Sequence, residues 1–278
     1  MRKIIDSNQL QSENLRTYLA KSKSNFAVLT DYAAMEAYKG DTLVSAFKSM
    51  EVLCEFPGQV IVLRSTRVAC GLSGRLAGLQ RRLIDHSQTR EFPIYVRSLL
   101  AAKRGDTRYV KPLLAHGAEA SAHMETMLRD AETTGETIEE IAKLHSKEER
   151  AAFRNGDGFP VGMVNKVVKN IMQIAAQLFQ NHPNASRWPP YEQLPNTFIF
   201  RSSLCMYLLA LDWGARGGVR HASPAKLRND TIDMNFAAYA TYFDGLLTAD
   251  AKTERLHQEA RIWLSALFDC ALPGGLSP

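Results

Sequence analysis

Short acidic stretches at the two ends of the chain constrain its fold more than any other feature. I4-I5-D6-S7-N8 and L246-L247-T248-A249-D250 each put a carboxylate where an apolar, strand-like run stops. Y32-A33-A34-M35-E36 and N229-D230-T231-I232-D233 put carboxylates on helical patterns. Carboxylates gathered from distant parts of a chain repel one another and lose hydration. The usual reason to tolerate this is a hard divalent cation. Mg²⁺ or Mn²⁺ in particular is held by a few carboxylates together with water and phosphate oxygens.

Simple geometry joins two of these stretches. From Asp233 the chain reads D-M-N-F-A-A-Y-A-T-Y-F, with Phe236, Ala237 and Ala240 on one helical face. The steps to Phe243 carry it roughly 15 Å at about 1.5 Å each. Asp244-Gly245 makes a turn, and G-L-L-T-A-D reads as a short buried strand. That strand returns the chain by about 17 Å, at roughly 3.3 Å per step. An antiparallel strand and helix therefore set Asp250 beside Asp233. If residues 1–5 and 245–248 are parallel neighbours, Asp6 comes to the same place, outside the carboxyl ends of the strands, where open α/β sheets bind ligands.

In these residues the chain resembles the PIN-domain (PIN-like) nucleases. Asp6-Ser7-Asn8 matches a strand ending in D-x-N, Glu36 occupies the place of an acidic residue on an early helix, and Asp233 opens D-x-x-F-A-A-x-A before L-L-T-A-D. The resemblance covers about residues 1–66 and 226–270, and the closing segment is its specific part. It implies an α/β fold with a four- or five-stranded PIN-like parallel sheet flanked by helices. It also implies one or two Mg²⁺ or Mn²⁺ ions and phosphodiester hydrolysis, most often of RNA. On this reading Asp6, Glu36, Asp233 and Asp250 are catalytic metal ligands, Asp230 is an accessory ligand, and Asn8 and Thr248 orient the carboxylates. The chain departs from a compact PIN domain in its long middle. The expected organisation is a nuclease core of residues 1–66 plus 226–278 with a mainly helical insertion at 67–225.

Each acidic residue also has a structural reading. Glu36 suits a solvated helix face, Thr30 or Asp31 suits an N-cap, and Asp230 or Asp233 suits the first turn of a helix. Asp244 reads as a turn residue, and Asp250 reads as a cap for a helix at 251–268, which is compatible with metal contact.

Charge along the chain is uneven. Between Arg64 and Lys111 eleven basic residues face Asp85, Glu91 and Asp106, a local balance of +8. Such a field attracts phosphate backbones. Arg81, Arg82, Arg104 and Arg108 are the candidate nucleic-acid contacts there, with Arg216, Arg220 and His221 in the basic loop A215-R-G-G-V-R-H ahead of Asp230. Residues 119–149 are acidic, which suits a basic partner or the basic segment of the same chain. The N-terminus is not a signal peptide, no apolar run reaches the roughly 20 residues of a membrane span, and Cys54, Cys70, Cys205 and Cys270 lack metal spacing, so a cytoplasmic protein is expected.

Residues 1–66 alternate strand and helix, with strands at 2–5, 26–29 and 59–64. Helices are expected at 67–86, 93–102, near 111–133, at 137–153 behind a Thr137–Glu140 capping box, at 161–179, and from about Ser202 within the apolar run 196–211. Loops are expected at 155–160 and 181–191; Trp188 and Tyr191 in the latter suit either base stacking or core packing. The reading as a whole is a metal-dependent endoribonuclease, in which the helical middle selects RNA or binds an inhibitory or effector protein. A toxin or defence effector, a homo-oligomer, a DNA-directed nuclease of the same type, and a catalytically silent PIN-like scaffold or RNA-binding subunit are the alternatives.

Overall fold

The computed structural model describes residues 1–155, 161–184, 188–268 and 272–273. Four strands, β1 (Arg2–Ile5), β2 (Phe26–Leu29), β3 (Val60–Val62) and β4 (Leu246–Leu247), form one parallel sheet in the order β3-β2-β1-β4. Ile4 and Ile5 of β1 pair with Leu246 and Leu247, so the first and last strands of the chain lie side by side at the centre and edge of the sheet. Strands β2, β3 and β4 and the second half of β1 are apolar without alternation because helices cover both faces. Successive side chains point to opposite faces: Ile4, Val28 and Ile61 enter one core, and Ile5, Ala27, Leu29 and Val60 enter the other.

The connecting helices are α1 (Glu13–Lys21), α2 (Asp31–Ala37), α3 (Thr42–Ser49), α4 (Glu51–Glu55), α5 (Thr66–Ala69), α6 (Leu76–Leu83) and α7 (His86–Lys103). They continue as α8 (Thr107–Arg129), α9 (Ala131–Lys143), α10 (Lys147–Asn155), α11 (Val161–Asn181), α12 (Phe198–Ala215), α13 (Pro224–Ala240) and α14 (Ala251–Phe268). One core gathers Leu204, Tyr207, Phe236 and Ala237 of α12 and α13 with residues of α9 and α11. The other gathers Leu15 and Leu19 of α1 with Phe92, Val96 and Leu113 of α7 and α8. Helices of the middle segment thus help to bury both faces of the sheet.

Several helix boundaries differ from the sequence expectation. The stretch 67–86 is two helices, parted at Gly71–Arg75 where Gly74 takes φ +122°. Helix α7 starts seven residues before Pro93, because the Asp85 carboxylate caps it by accepting from Ser87 N at 3.1 Å and Gln88 N at 3.0 Å. Burial of Phe92 and Val96 outweighs the backbone bond that Pro93 cannot make. The expected helix at 137–153 is α9 and α10, broken at Leu144–Ser146. Thr137 opens no helix; it lies inside α9 with its hydroxyl on Thr133 O at 3.0 Å. Thr197 caps α12, which therefore begins before Ser202. Trp188 packs edge-on against Phe179 at 5.1 Å and Tyr191 lies 5.8 Å from Phe268. Of the loop expected at 155–160, Asn155 ends α10 and 156–160 fall outside the described residues, as do 185–187 of 181–191 and Cys270. Among the described residues no helix is long and apolar enough to cross a membrane.

Two glycines give opposite forecasts. A Cβ on Gly117 of α8 would sit 2.2 Å from Oγ1 and 2.8 Å from Cβ of Thr42 at the start of α3, whereas one on Gly78 of α6 meets nothing within 4 Å. Gly117→Ala is expected to cost about 1–3 kcal/mol by overpacking. Gly78→Ala is expected to add roughly 0.5–1 kcal/mol by helix propensity. Urea unfolding of both variants checks the pair.

Candidate metal centre

The site begins with the pairing of chain ends. Backbone bonds Ile4 N to Gly245 O and Asp6 N to Leu247 O, both 3.0 Å, hold β1 to β4. Asp244 reinforces them: its carboxylate accepts from Arg2 N at 2.6 Å, and its own N–H donates to Arg2 O at 2.8 Å. The expected turn former is therefore also a clip. Beyond the clip, Asp6 and Thr248 emerge together at the carboxyl end of the sheet.

Asp6 is 2% exposed. Its Oδ2 accepts from Thr248 Oγ1 at 2.5 Å and from Asn8 Nδ2 at 2.6 Å. Thr248 Oγ1 in turn accepts from Asp250 N at 2.9 Å, and Asn8 Oδ1 accepts from Ala249 N at 3.1 Å. Asn8 and Thr248 are thus a bracket that fixes both Asp6 and the backbone leading to Asp250. Burial raises the Asp6 pKa, the bonds from Thr248 and Asn8 oppose the rise, and the nearby Asp250 charge adds to it.

Glu36 comes from α2 and accepts from the Ser7 hydroxyl, which also lies 3.4 Å from Asp6 Oδ1. Asp250 caps α14, accepting from Thr253 N at 2.8 Å and Thr253 Oγ1 at 3.2 Å. Burial pushes its carboxyl up, but the Thr253 bonds, with the Lys252 amide and charge, prevail and hold it low. Asp230 accepts from the Trp213 indole N–H at 2.8 Å and pairs with Lys252 Nζ at 2.5 Å. Lys252 lies 5.3 Å from the Trp213 ring centroid.

Asp233 is the electrostatic centre. It does not lead its helix: α13 starts at Pro224 behind a Ser223 cap, so Asp230 and Asp233 both lie inside it. The small residues Ala237, Ala238 and Ala240 let α13 pack closely, and all three are fully buried. Asp233 accepts no hydrogen bond from the described residues. Burial, then the charges of Asp6, Asp250, Asp230 and Glu36, drive its pKa to about 8. The fold therefore brings four carboxylates, from the ends of β1 and β4 and from α2 and α13, within electrostatic reach of Asp233. The one direct ion pair to them among the described residues is Lys252 with Asp230.

The donor set is all oxygen, as Mg²⁺ or Mn²⁺ requires. An unbonded, proton-holding Asp233 beside four other carboxylates is what an excess of negative charge without a cation produces. The chemistry of the residues fits a hard divalent ion. Among the described residues no group of three or more His, Cys, Asp or Glu side chains stands ready to hold a metal. Asp6, Glu36, Asp230 and Asp250 are each held by donors of the chain itself, mainly through one oxygen: Oδ2 of Asp6 and of Asp230, Oε2 of Glu36 and Oδ1 of Asp250.

The basic residues are spread over several elements. Arg81 and Arg82 are exposed on α6, where the Arg82 guanidinium folds back onto Ser73 O and Gly78 O. Arg104 ends α7, and Arg108 at the start of α8 is held by Asp106 at 2.7 Å. Arg216 pairs with Asp212 at 3.0 Å, and Arg220 lies 3.8 Å from Glu139. His221 is exposed. Of the two candidate N-caps of α2, Thr30 fills the role, while Asp31 accepts from Thr66 N at 2.7 Å and Thr66 Oγ1 at 2.9 Å. Lys252, Trp213 and Ser7 are the site residues that sequence reasoning misses. Lys252 and Ser7 adjoin acidic residues of the motifs, but nothing local marks Trp213.

The raised Asp233 pKa has a pH signature. The folded protein keeps this proton to about pH 8, whereas the unfolded chain releases it near 3.8. Stability from this group is therefore complete below the unfolded value and is lost as pH rises through the folded one. In EDTA, Asp233→Asn is expected to flatten that loss and to raise stability at pH 8.5 by roughly 2 kcal/mol. Urea unfolding at intervals from pH 4.5 to 8.5 checks it; an equal pH slope in both proteins contradicts the electrostatic account.

No family model matches this sequence, and neither a curated protein nor a solved structure matches it.

Proposed function

We propose that the chain is a metal-dependent endonuclease acting on RNA, with its centre at Asp6, Glu36, Asp233 and Asp250. The observation that carries this reading is Asp233, a proton-holding carboxylate among four others at the carboxyl end of two parallel strands. A bound Mg²⁺ or Mn²⁺ would supply a hydroxide near neutral pH and offset the charge of the scissile phosphate. The chain's own part is to hold and orient. Asp6, Asp233 and Asp250 give up the Asp233 proton and present oxygens, while Asn8 and Thr248 keep Asp6 in place. Glu36 presents its carboxylate from α2, steadied by Ser7. Lys252 tempers the charge of Asp230. RNA rather than DNA follows from the resemblance of the acidic motifs, so the test carries both.

One observation favours a second reading. Asp6, Glu36, Asp230 and Asp250 each already accept from a protein donor, as they would in a catalytically silent PIN-like scaffold. The two readings part on turnover. Incubation with mixed RNA, single-stranded DNA and double-stranded DNA in Mn²⁺ is expected to cleave RNA, to stop with EDTA, and to fall at least about a hundredfold in Asp250→Asn, as loss of a metal ligand does. Filter binding of the same RNA by Asp250→Asn is expected to be kept. No cleavage of any substrate in Mn²⁺ or Mg²⁺ supports the silent scaffold instead.

A further inference from the structure

We propose a second, anion-binding site in the helical part of the molecule, for a compact ligand or strand segment that carries several phosphates. A cavity of about 780 Å³ opens between α9, α10, the last turn of α12 and the loop that follows it. Its lining includes Lys143, Lys147, Arg150, Arg154, Arg216 and Arg220. The acidic lining residue is Glu139, 3.6 Å from Lys143 Nζ and 3.8 Å from Arg220 Nε. Asp212 stands at the edge and pairs with Arg216 at 3.0 Å. Lys147, Arg150 and Arg154 have no carboxylate at ion-pair distance among the described residues. Their spacing puts them on one face of α10, and that face lines the cavity.

The walls are built so that the space stays open. At Gly214 a Cβ would come within 2.7 Å of Ala142 Cβ, so α9 and α12 close against each other behind the cavity. Gly217 and Gly218 take φ +106° and +88° with open space around each, which leaves one rim as bare backbone between Arg216 and Arg220. Arg154 Nη1 reaches Ala215 O at 3.4 Å and ties α10 to the end of α12. Among the described residues no aromatic side chain lines the cavity. Recognition there is therefore by charge, addressed to phosphates and not to a stacked base. The volume falls in the range of small-ligand sites. Six cations facing one space repel, and a multiply charged anion removes that cost.

This site does not depend on the nuclease reading, although the two centres share the end of α12: Trp213, next to Gly214, donates to Asp230. Phosphates of a free polyphosphate and of a nucleic-acid strand have the same local chemistry, and the experiment separates them. Fluorescence anisotropy in EDTA would use a labelled single-stranded RNA as one probe and labelled ATP as the other, with unlabelled tripolyphosphate as competitor. At least one probe is expected to bind and to be displaced by tripolyphosphate. Lys147→Glu/Arg150→Glu is expected to weaken it at least about tenfold and to lower the salt slope by about one unit for each phosphate no longer neutralised. The milder Lys147→Gln/Arg150→Gln is expected to fall between, and Lys21→Glu/Lys23→Glu, at the end of α1 and in the loop that follows it, to match wild type. Binding of RNA alone assigns a strand, and binding of ATP assigns a free polyphosphate. Binding of neither, or equal binding by the wild-type protein and a folded glutamate variant, overturns the proposal.

Discussion

The pairing of β1 with β4 is the contact on which the rest of the molecule depends. It joins residues nearly the whole chain apart, through Ile4 and Ile5 against Leu246 and Leu247. So short an edge strand offers few ladder bonds, and side chains complete it. The Asp244 clip holds its near end to Arg2, and the Asn8–Asp6–Thr248 bracket holds its far end. These two devices fix the register. A slip of one residue would turn Ile4 and Ile5 onto the wrong faces and separate Asp6 from Thr248.

The same bracket sets the electrostatics. By bringing Asp6 beside Asp250 and both beneath α13, the sheet edge gathers negative charge faster than it gathers counter-charge. The fold answers in three ways. Hydroxyl and amide donors take up Asp6, Glu36 and Asp250. Lys252 and the Trp213 indole take up Asp230. Asp233, which receives no such donor, keeps a proton instead. A divalent cation is the alternative to that proton, and it would have to compete with it. That competition makes metal affinity and carboxylate protonation two sides of one equilibrium. The end of α12 touches this balance through Trp213, and the cationic cavity opens on the other side of the same turn.

The sheet was legible because short apolar stretches alternate with helical ones, and parallel neighbours follow from where the carboxylates that end β1 and follow β4 must meet. Strand β2 and helix α14 fall where the sequence places them, at Phe26–Leu29 and Ala251–Phe268. The electrostatic coupling of Asp6 and Asp250 to Asp233 agrees with the same reading, which set Asp250 by rise per residue and Asp6 by parallel pairing of the first and last strands. Helix starts were not. Asp85, Thr197 and Ser223 set them through single side-chain bonds, and many residues nearby have the same capping chemistry. Asp233 looks like a helix leader in the sequence because Pro224 to Ile232 show no amphipathic stripe; the helix there passes from exposed Pro224, Ala225 and Lys226 to a second half buried on nearly every side. Lys252, Trp213 and the six-cation cavity were hidden because each depends on a long-range contact that spacing does not encode.

Diffraction from crystals soaked in Mn²⁺ at pH 8, with anomalous data collected at the manganese edge, is the sharpest test of the metal centre. The expected result is an anomalous peak bounded by the carboxylates of Asp6, Asp233 and Asp250, with Asp233 turned toward it, and no such peak in Asp233→Asn crystals. A fully occupied manganese elsewhere, or an empty cluster at millimolar Mn²⁺ with Asp233 still unbonded, contradicts it.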